Sequence, residues 1–414
     1  MTLGEQPSTA RTIEVAVVGG GIAGAAVAIR LAAMGREVML FERLAAPRWR
    51  ASGVYSSPAT VALLRDLGLG VEATARLATP IDAMVVRSER GVSCSLEHSP
   101  LPAAGLDRVR LERALLDRAT AADVVVREGA VVREIRGLTG SGAPELQVST
   151  SMGSERWRPR IVIGADGPRS LVARRAGVQR KQRLLDRAAL TVHLSDGHAG
   201  TAVAASAGAR QAEMVLGSGW YCGIAPVPGD RVNIGIVIAG SDLRRRASAG
   251  EAPRSIVRSI LEQLPPPLTG WANRPTTDEV RVAYPLAHRT ARTWGRDFLL
   301  VGDATGFLDP LSGEGIHRAL VSAELAAGAV DSKLRRRTGA LENYHRQLRR
   351  RFGHKDAVSW LLQVFLARPA LVDYALSRLD RRPGARRTFG LVLADLLPAG
   401  RALEPRFLLS VLAP

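Results

Sequence analysis

A glycine-rich turn between a strand and a helix near the N-terminus constrains this chain more than any other feature. Residues Thr12–Val18 are β-branched and apolar, the pattern of a buried parallel strand, and they run into Gly19-Gly20-Gly21-Ile22-Ala23-Gly24. Ile22 to Met34 is rich in Ala, Ile, Val and Leu, with Gly35 as a C-terminal stop. Glu37 to Phe41 is a second short apolar strand, so the chain opens on a βαβ unit. In that context the G-x-G-x-x-G has a physical use. Gly19 makes the tight turn, Gly21 lets a pyrophosphate approach the backbone, and Gly24 allows close helix–strand packing. The helix N-terminus at Ile22 and Ala23 supplies N–H donors and partial positive charge. Glu42 closes the second strand near the spacing of a ribose-binding carboxylate, which disfavours a 2′-phosphate.

Charge and cysteine content narrow the function classes. Lys plus Arg is 57 and Asp plus Glu is 39, a net charge of +18. Lysine occurs only at Lys181, Lys333 and Lys355. A nucleic-acid binder would mix lysine in, so the arginine excess reads as coding bias and no nucleic-acid partner is expected. The charge favours anionic partners: a phosphate-bearing cofactor, a carrier-bound acyl group or a peripheral membrane contact. Cys94 and Cys222 cannot build a disulfide framework, and no C-x-x-C occurs, which suits a reducing cytoplasm. Met1 to Arg11 is polar, without the apolar centre of a signal peptide, and no run approaches the ~18 apolar residues of a membrane span. The histidines form no H-x-x-x-H pair, so no metal site is expected.

The rest of the chain divides by pattern. Pro58 to Leu67 predicts a helix, and Ala83–Val86 with Val92–Leu96 a hairpin about Glu89-Arg90-Gly91. Arg108 to Ala122 has helical apolar spacing. Strands follow at 124–127, 130–136 and 145–150, then Ile161–Ile163 ending in Gly164-Ala165-Asp166-Gly167. Between 182 and 284 the pattern turns to strands: Ala188–Leu194, Ala212–Leu216, Trp220–Ile224 and Arg231–Ile238. Asp297–Val301 precedes Gly302-Asp303, and from Gly313 onward the chain is nearly all helical. The expected fold class is α/β. Segments 1–80, 101–181 and 285–334 form a Rossmann-like nucleotide domain. It is interleaved with a strand-rich substrate domain from 81–100 and 182–284, and 335–414 is a helical C-terminal region.

The far end of the chain chooses between NAD and FAD. Phe298-Leu-Leu-Val-Gly302-Asp303-Ala-Thr-Gly306-Phe-Leu-Asp-Pro310-Leu-Ser-Gly313-Glu314-Gly315-Ile316 is a strand end followed by a glycine loop into a helix. An acid there can hydrogen-bond a polyol, and glycine N–H groups at a helix N-terminus can stabilise charge on an electron-rich ring. Such a second grip suits a ribityl chain and flavin ring.

With these motifs the chain resembles the FAD-dependent oxidoreductases of the aromatic-hydroxylase type. They include group A flavin monooxygenases, geranylgeranyl reductases and flavin-dependent halogenases. The resemblance rests on the glycine fingerprint with Glu42-Arg43, on Ile163-Gly164-Ala165-Asp166-Gly167-Pro168-Arg169-Ser170, and on the Gly302-Asp303 segment. It implies FAD as cofactor, with the ribityl chain on Asp303, the flavin pyrimidine edge against Gly313, Gly315 and Ile316, and a cofactor contact from Arg108. It links Asp166 to the flavin site and to transient NAD(P)H contact, and Val131 and Gly302 join the cofactor residues. A second dinucleotide fingerprint is missing, so NAD(P)H is expected to visit without a domain of its own.

Within that family the residues point in several directions. Ser52 stands where geranylgeranyl reductases carry the cysteine of a Pro-x-x-Lys-x-Cys-Gly stretch. Gly219-Trp220-Tyr221-Cys222-Gly223-Ile224-Ala225-Pro226 is similar to the halogenase Gly-Trp-x-Trp-x-Ile-Pro, but Cys222 replaces the second Trp and no lysine precedes Lys181. The favoured expectation is an NAD(P)H- and O2-dependent monooxygenase that hydroxylates or epoxidises a medium-sized apolar metabolite. The alternative is an FAD-dependent double-bond reductase or dehydrogenase. A halogenase or a flavin-binding protein without turnover is less favoured. Tyr55, Tyr221 and His288 are candidate polar contacts to substrate; the plainer reading is loop packing, strand packing and a surface position.

Overall fold

The computed structural model describes residues 10–98, 101–182, 185–196 and 210–412. Most of the polar Met1–Arg11 segment lies outside them. Two seven-stranded sheets organise the chain. In the first, the path runs Val125–Glu128, Val38–Glu42, Arg11–Val18, Gly153–Gly164, Glu145–Thr150 and Val131–Arg136, and Phe298–Leu300 pairs with the inner end of Gly153–Gly164. The central pairings are parallel: Val15–Val18 lie between Val38–Phe41 and Ile161–Gly164. Strands covered on both faces read as unbroken apolar runs, which is why they stand out in the sequence.

Gly153–Gly164 begins well before the predicted Ile161. Its first half folds back antiparallel on Glu145–Thr150, and from Trp157 to Arg160 buried and exposed residues alternate. A search for a continuous apolar run misses such a half-buried strand.

Helix Ile22–Ala33 packs against helices Arg108–Thr120 and Gly315–Leu334 on one face of this sheet, in a core that includes Val27, Leu31, Leu111, Leu115, Leu320 and Val330. Arg36 and Asp331, separated by 295 positions, share a 2.6 Å hydrogen bond at the far end of that contact.

The second sheet runs Arg281–Ala283, Arg187–Ser195, Arg231–Ala239, Tyr221–Val227, Gln211–Leu216, Ala83–Ser88 and Ser93–Glu97. The early hairpin thus joins strands from late in the chain, with Ala83–Ser88 parallel to Gln211–Leu216. One face is covered by helix Pro253–Leu261 through Ile256, Val257, Ile260 and Leu261, with Trp271 beside them. The sequence pattern predicts only strands here; the structure adds this helix and Gly240–Ser248. Gly240–Ser248 has a single large apolar residue, Leu243, and so shows no apolar stripe.

The C-terminal region caps both sheets. Helix Ala340–Leu366 lies on Gly315–Leu334 through Leu341, Tyr344, Leu348 and Phe352. Helix Pro369–Arg381 covers strand Ser93–Glu97, with Val372, Ala375, Leu376 and Leu379 packed on Cys94 and Leu96. Pro369, Pro383 and Pro405 each open a helix, where the missing N–H costs nothing. Among the described residues no helix is long and apolar enough to cross a membrane.

Candidate functional site

Three turns that are far apart in sequence meet at one end of the first sheet. Gly19 has φ +106°, and a Cβ there would lie 2.4 Å from the Ala165 carbonyl oxygen. The first turn therefore rests on the Ala165-Asp166 turn. Gly302 has φ +57°, and its Cβ would lie 2.7 Å from that of Ala23, so the third turn rests on the first helix. In front of Gly21 nothing lies within 4 Å, and helix Ile22–Ala33 begins there without a side-chain cap. Its first N–H groups are left for a ligand.

Glu42 fixes the first turn. Its Oε2 accepts from the Gly20 N–H at 2.6 Å and its Oε1 from the Leu44 N–H at 2.9 Å. Each carboxylate oxygen keeps a free lone pair, so Glu42 can still accept a hydroxyl. Arg43 beside it is exposed, and half-buried Val131 follows Ala130, whose N–H donates to the Glu42 carbonyl at 2.9 Å.

Asp166 and Asp303 differ in kind. Asp166 Oδ2 accepts from the N–H groups of Leu171 and Val172 at 2.6 and 3.2 Å, capping the short helix Leu171–Arg175, while Oδ1 is buried without a partner. Burial raises its pKa, and the bonds from Ser170, Val172 and Leu171 pull the other way. Asp303 makes its side chain accessible to solvent, yet enough protein crowds it to raise its pKa. His288, Arg108, Arg318 and Arg50 oppose that rise, so the carboxylate faces a cationic wall. Arg108 is held by the Gly53 carbonyl at 3.1 Å, Arg50 by Glu112 at 2.6 Å, and the His288 Nε2 sits on the Asp303 carbonyl.

The glycine loop that follows is held from two sides, by Tyr55 and by the second sheet. Gly313 has φ +68°, and its Cβ would lie 2.7 Å from the Tyr55 ring. In front of Gly315 the space is open, and helix Gly315–Leu334 starts without a side-chain cap; Ile316 is buried behind it. The Tyr55 hydroxyl lies 3.0 Å from His98 Nε2, and burial pushes the His98 pKa down to about 4. Burial also pushes the Tyr55 hydroxyl above its ordinary range. From the second sheet, Tyr221 donates to Asp309 Oδ1 at 2.6 Å, and the Leu311 N–H donates to the same oxygen. The structure thus brings Tyr55, Tyr221 and His288 each against a turn of the site.

Sequence reasoning overlooked His98, Asp309 and a buried ionic cluster. Lys355 Nζ lies 2.7 Å from Asp395 Oδ1, 3.0 Å from Glu314 Oε1 and 2.9 Å from the Val392 carbonyl. It clamps Glu314, the residue between Gly313 and Gly315, from the C-terminal region.

The two helix N-termini at Ile22 and Gly315 are open, with Glu42 bonded to the turn before the first and the Gly302–Thr305 turn packed against the second helix. Residues 12–355 match the family described as FAD binding domain. The chain is 28% identical over 342 residues to digeranylgeranylglycerophospholipid reductase 2 of Methanothermobacter thermautotrophicus, covering 77% of this chain and 79% of that protein. It is 27% identical over 326 residues to menaquinone reductase of Mycobacterium tuberculosis, covering 77% of each. In structure it is similar to a flavoprotein/dehydrogenase from Cytophaga hutchinsonii, with TM-score 0.81, 17% identity and coverage of 97% and 95%. The flavin-dependent brominase Bmp2 superimposes with TM-score 0.77 at 17% identity, covering 92% of this chain and 93% of that one. With its three turns converging on one cradle and more than three-quarters of its length matched, the chain belongs to the FAD binding domain family and is an FAD-dependent oxidoreductase.

Proposed function

We propose that this enzyme binds FAD across the two helix N-termini and reduces a carbon–carbon double bond in an apolar, isoprenoid-like small molecule. The carrying observation is the face of the second sheet that looks toward the glycine loop. Its part beside the loop is apolar, with Ala189, Tyr221, Val237, Met214 and Leu216 packed near Leu286, Leu311 and Leu366. The reading is supported by the two reductases to which most of the chain aligns.

The cofactor roles follow from the cradle. Gly19, Gly21, Ile22, Ala23 and Gly24 present backbone N–H groups to the pyrophosphate, and Glu42 accepts the adenosine ribose hydroxyls, with Arg43 and Val131 at its side. Asp303 binds the ribityl chain, flanked by Gly302 and Arg108. Gly313, Gly315 and Ile316 lie at the pyrimidine edge, where helix N–H groups favour negative charge. Asp166 acts through the turn it caps. FAD, when bound, supplies the two electrons, and NAD(P)H replenishes them. Saturating a double bond also needs a proton. The Tyr55 hydroxyl, kept protonated by burial and paired with a neutral His98, is the side chain placed to hold one.

A second reading, the oxygen-dependent monooxygenase, is favoured by Ser52. It stands where the reductases it resembles carry a cysteine, and its hydroxyl is tied to the Arg50 carbonyl at 3.1 Å. Turnover of a prenylated quinone with NADH or NADPH separates the two. Product that gains two hydrogens under strictly anaerobic conditions supports reduction. Product that forms only with oxygen and carries label from oxygen gas replaces it with the second reading.

A further inference from the structure

Two glycines face one another in the middle of the second sheet. Gly223 and Gly235 are cross-strand partners, and both are half-exposed between buried neighbours. By the alternation of a strand they share the face of Tyr221 and Val237. Glycine weakens a strand interior, and it often marks a close approach by another group. Nothing local demands glycine here. A Cβ at Gly235 would meet nothing nearer than 3.9 Å, and one at Gly223 would make an ordinary 3.4 Å contact with the Met214 methyl.

The missing side chains leave a hollow. One flank is the row of Tyr221, Val237 and Ala189, which packs with Leu311 of the glycine loop. The other is Trp49, whose ring lies tilted against His193 with centroids 4.2 Å apart. Around the hollow three polar atoms are buried without a partner: Thr191 Oγ1, Asn233 Nδ2 and Trp49 Nε1. Thr191 lies directly across from Gly235, and Asn233 precedes Gly235 by two positions, on the same face. Thr191 and Asn233 are each only 4% exposed. A buried hydrogen-bonding group left unpaired costs about 1–3 kcal/mol, so three together need a reason. His193 beside them shows the contrast, with its Nδ1 2.6 Å from Asp278.

We infer that this hollow is a substrate subsite for a neutral, oxygen-bearing group of an otherwise apolar molecule, a carbonyl such as that of a quinone or an ester. The unpartnered atoms are the donating Asn233 Nδ2 and Trp49 indole N–H, and the Thr191 hydroxyl can donate as well, so the complement is an acceptor. None of the three is charged, which favours a carbonyl over a phosphate. The inference rests on the proposed reading only in placing the substrate between this sheet and the glycine loop. It holds for reduction and for oxygenation alike.

The test compares menadione with methylnaphthalene, which lacks both carbonyls, on the holoenzyme. Binding is read by equilibrium dialysis, and FAD content separately by the visible spectrum, so loss of the FAD reading is distinguishable. The wild type should bind menadione at least tenfold more tightly than methylnaphthalene. Asn233→Leu and Thr191→Val should erase that preference. Gly235→Val should weaken both probes at least tenfold without lowering Tm, because its added methyls enter the hollow and valine suits a strand. Equal binding of the two probes by the wild type, or unchanged binding by Gly235→Val, overturns the subsite.

Discussion

The Tyr221 hydroxyl donates to Asp309 across 2.6 Å, and this buried bond ties the second sheet to the loop beside the cofactor cradle. Burial raises the Asp309 pKa, while Tyr221 and the Leu311 N–H act to lower it. The net shift is upward, so the folded state holds this proton more tightly than the unfolded chain does. The sign follows: the associated stability is full below the ordinary carboxylate range, near pH ~4, and is lost as pH rises through the raised value.

Urea midpoints measured from pH 4 to 8 check this. Asp309→Asn should flatten the loss of stability with rising pH. Tyr221→Phe should steepen it and cost about 1.5–3 kcal/mol near neutrality, the usual worth of a hydrogen bond to a charged group. Parallel pH curves for all three proteins would remove Asp309 from the account.

The two aspartates of the cradle should separate by readout. Asp303→Ala should lower FAD affinity roughly tenfold or more, through loss of a charge-assisted bond, with little change in the Tm of the apoprotein. Asp166→Ala should cost about 0.5–2 kcal/mol of fold stability, because it uncaps Leu171–Arg175, and should affect FAD less. FAD titration and thermal melts on both variants decide it; equal FAD loss in the two would end the distinction.

Lys355→Met should be costly out of proportion to its distance from the cradle. It leaves Glu314 and Asp395 buried without their shared cation, a loss of about 3–5 kcal/mol for a broken buried pair. FAD should leave the variant faster on dilution, since Glu314 separates Gly313 from Gly315. Wild-type stability and FAD retention would show that the clamp is dispensable.

Both cysteines should be inert while the chain is folded. Burial pushes the Cys94 thiol up to about 11 and the Cys222 thiol up to about 12. Thiolate is the reactive form, so iodoacetamide at pH 8 should label neither until denaturant is added. Rapid labelling of the native protein would contradict that burial.

The parts of the site legible in the sequence are those that backbone sterics dictate. Gly19 and Gly302 must be glycine because another backbone and another helix press against them. Strands such as Val38–Glu42 are buried on both faces and declare themselves as apolar runs. What stayed hidden depends on pairing between distant segments. Nothing around His98 announces that Tyr55 will reach it, and nothing near Asp395 announces Lys355. Gly223 and Gly235 read as ordinary glycines until the register places them opposite each other.

The packing of helix Ile22–Ala33 on Gly315–Leu334, closed by Arg36 and Asp331, also governs when the protein can acquire its cofactor. One half of the cradle leaves the ribosome early and the other only later, as the 295 positions between Arg36 and Asp331 require. A nascent chain halted between them would carry an exposed apolar helix face and no complete nucleotide site. Yellow colour would then report chains that extend past the Gly315–Leu334 helix, so bound flavin could serve as a built-in gauge of folding yield during expression. Truncated products should be colourless and prone to chaperone capture.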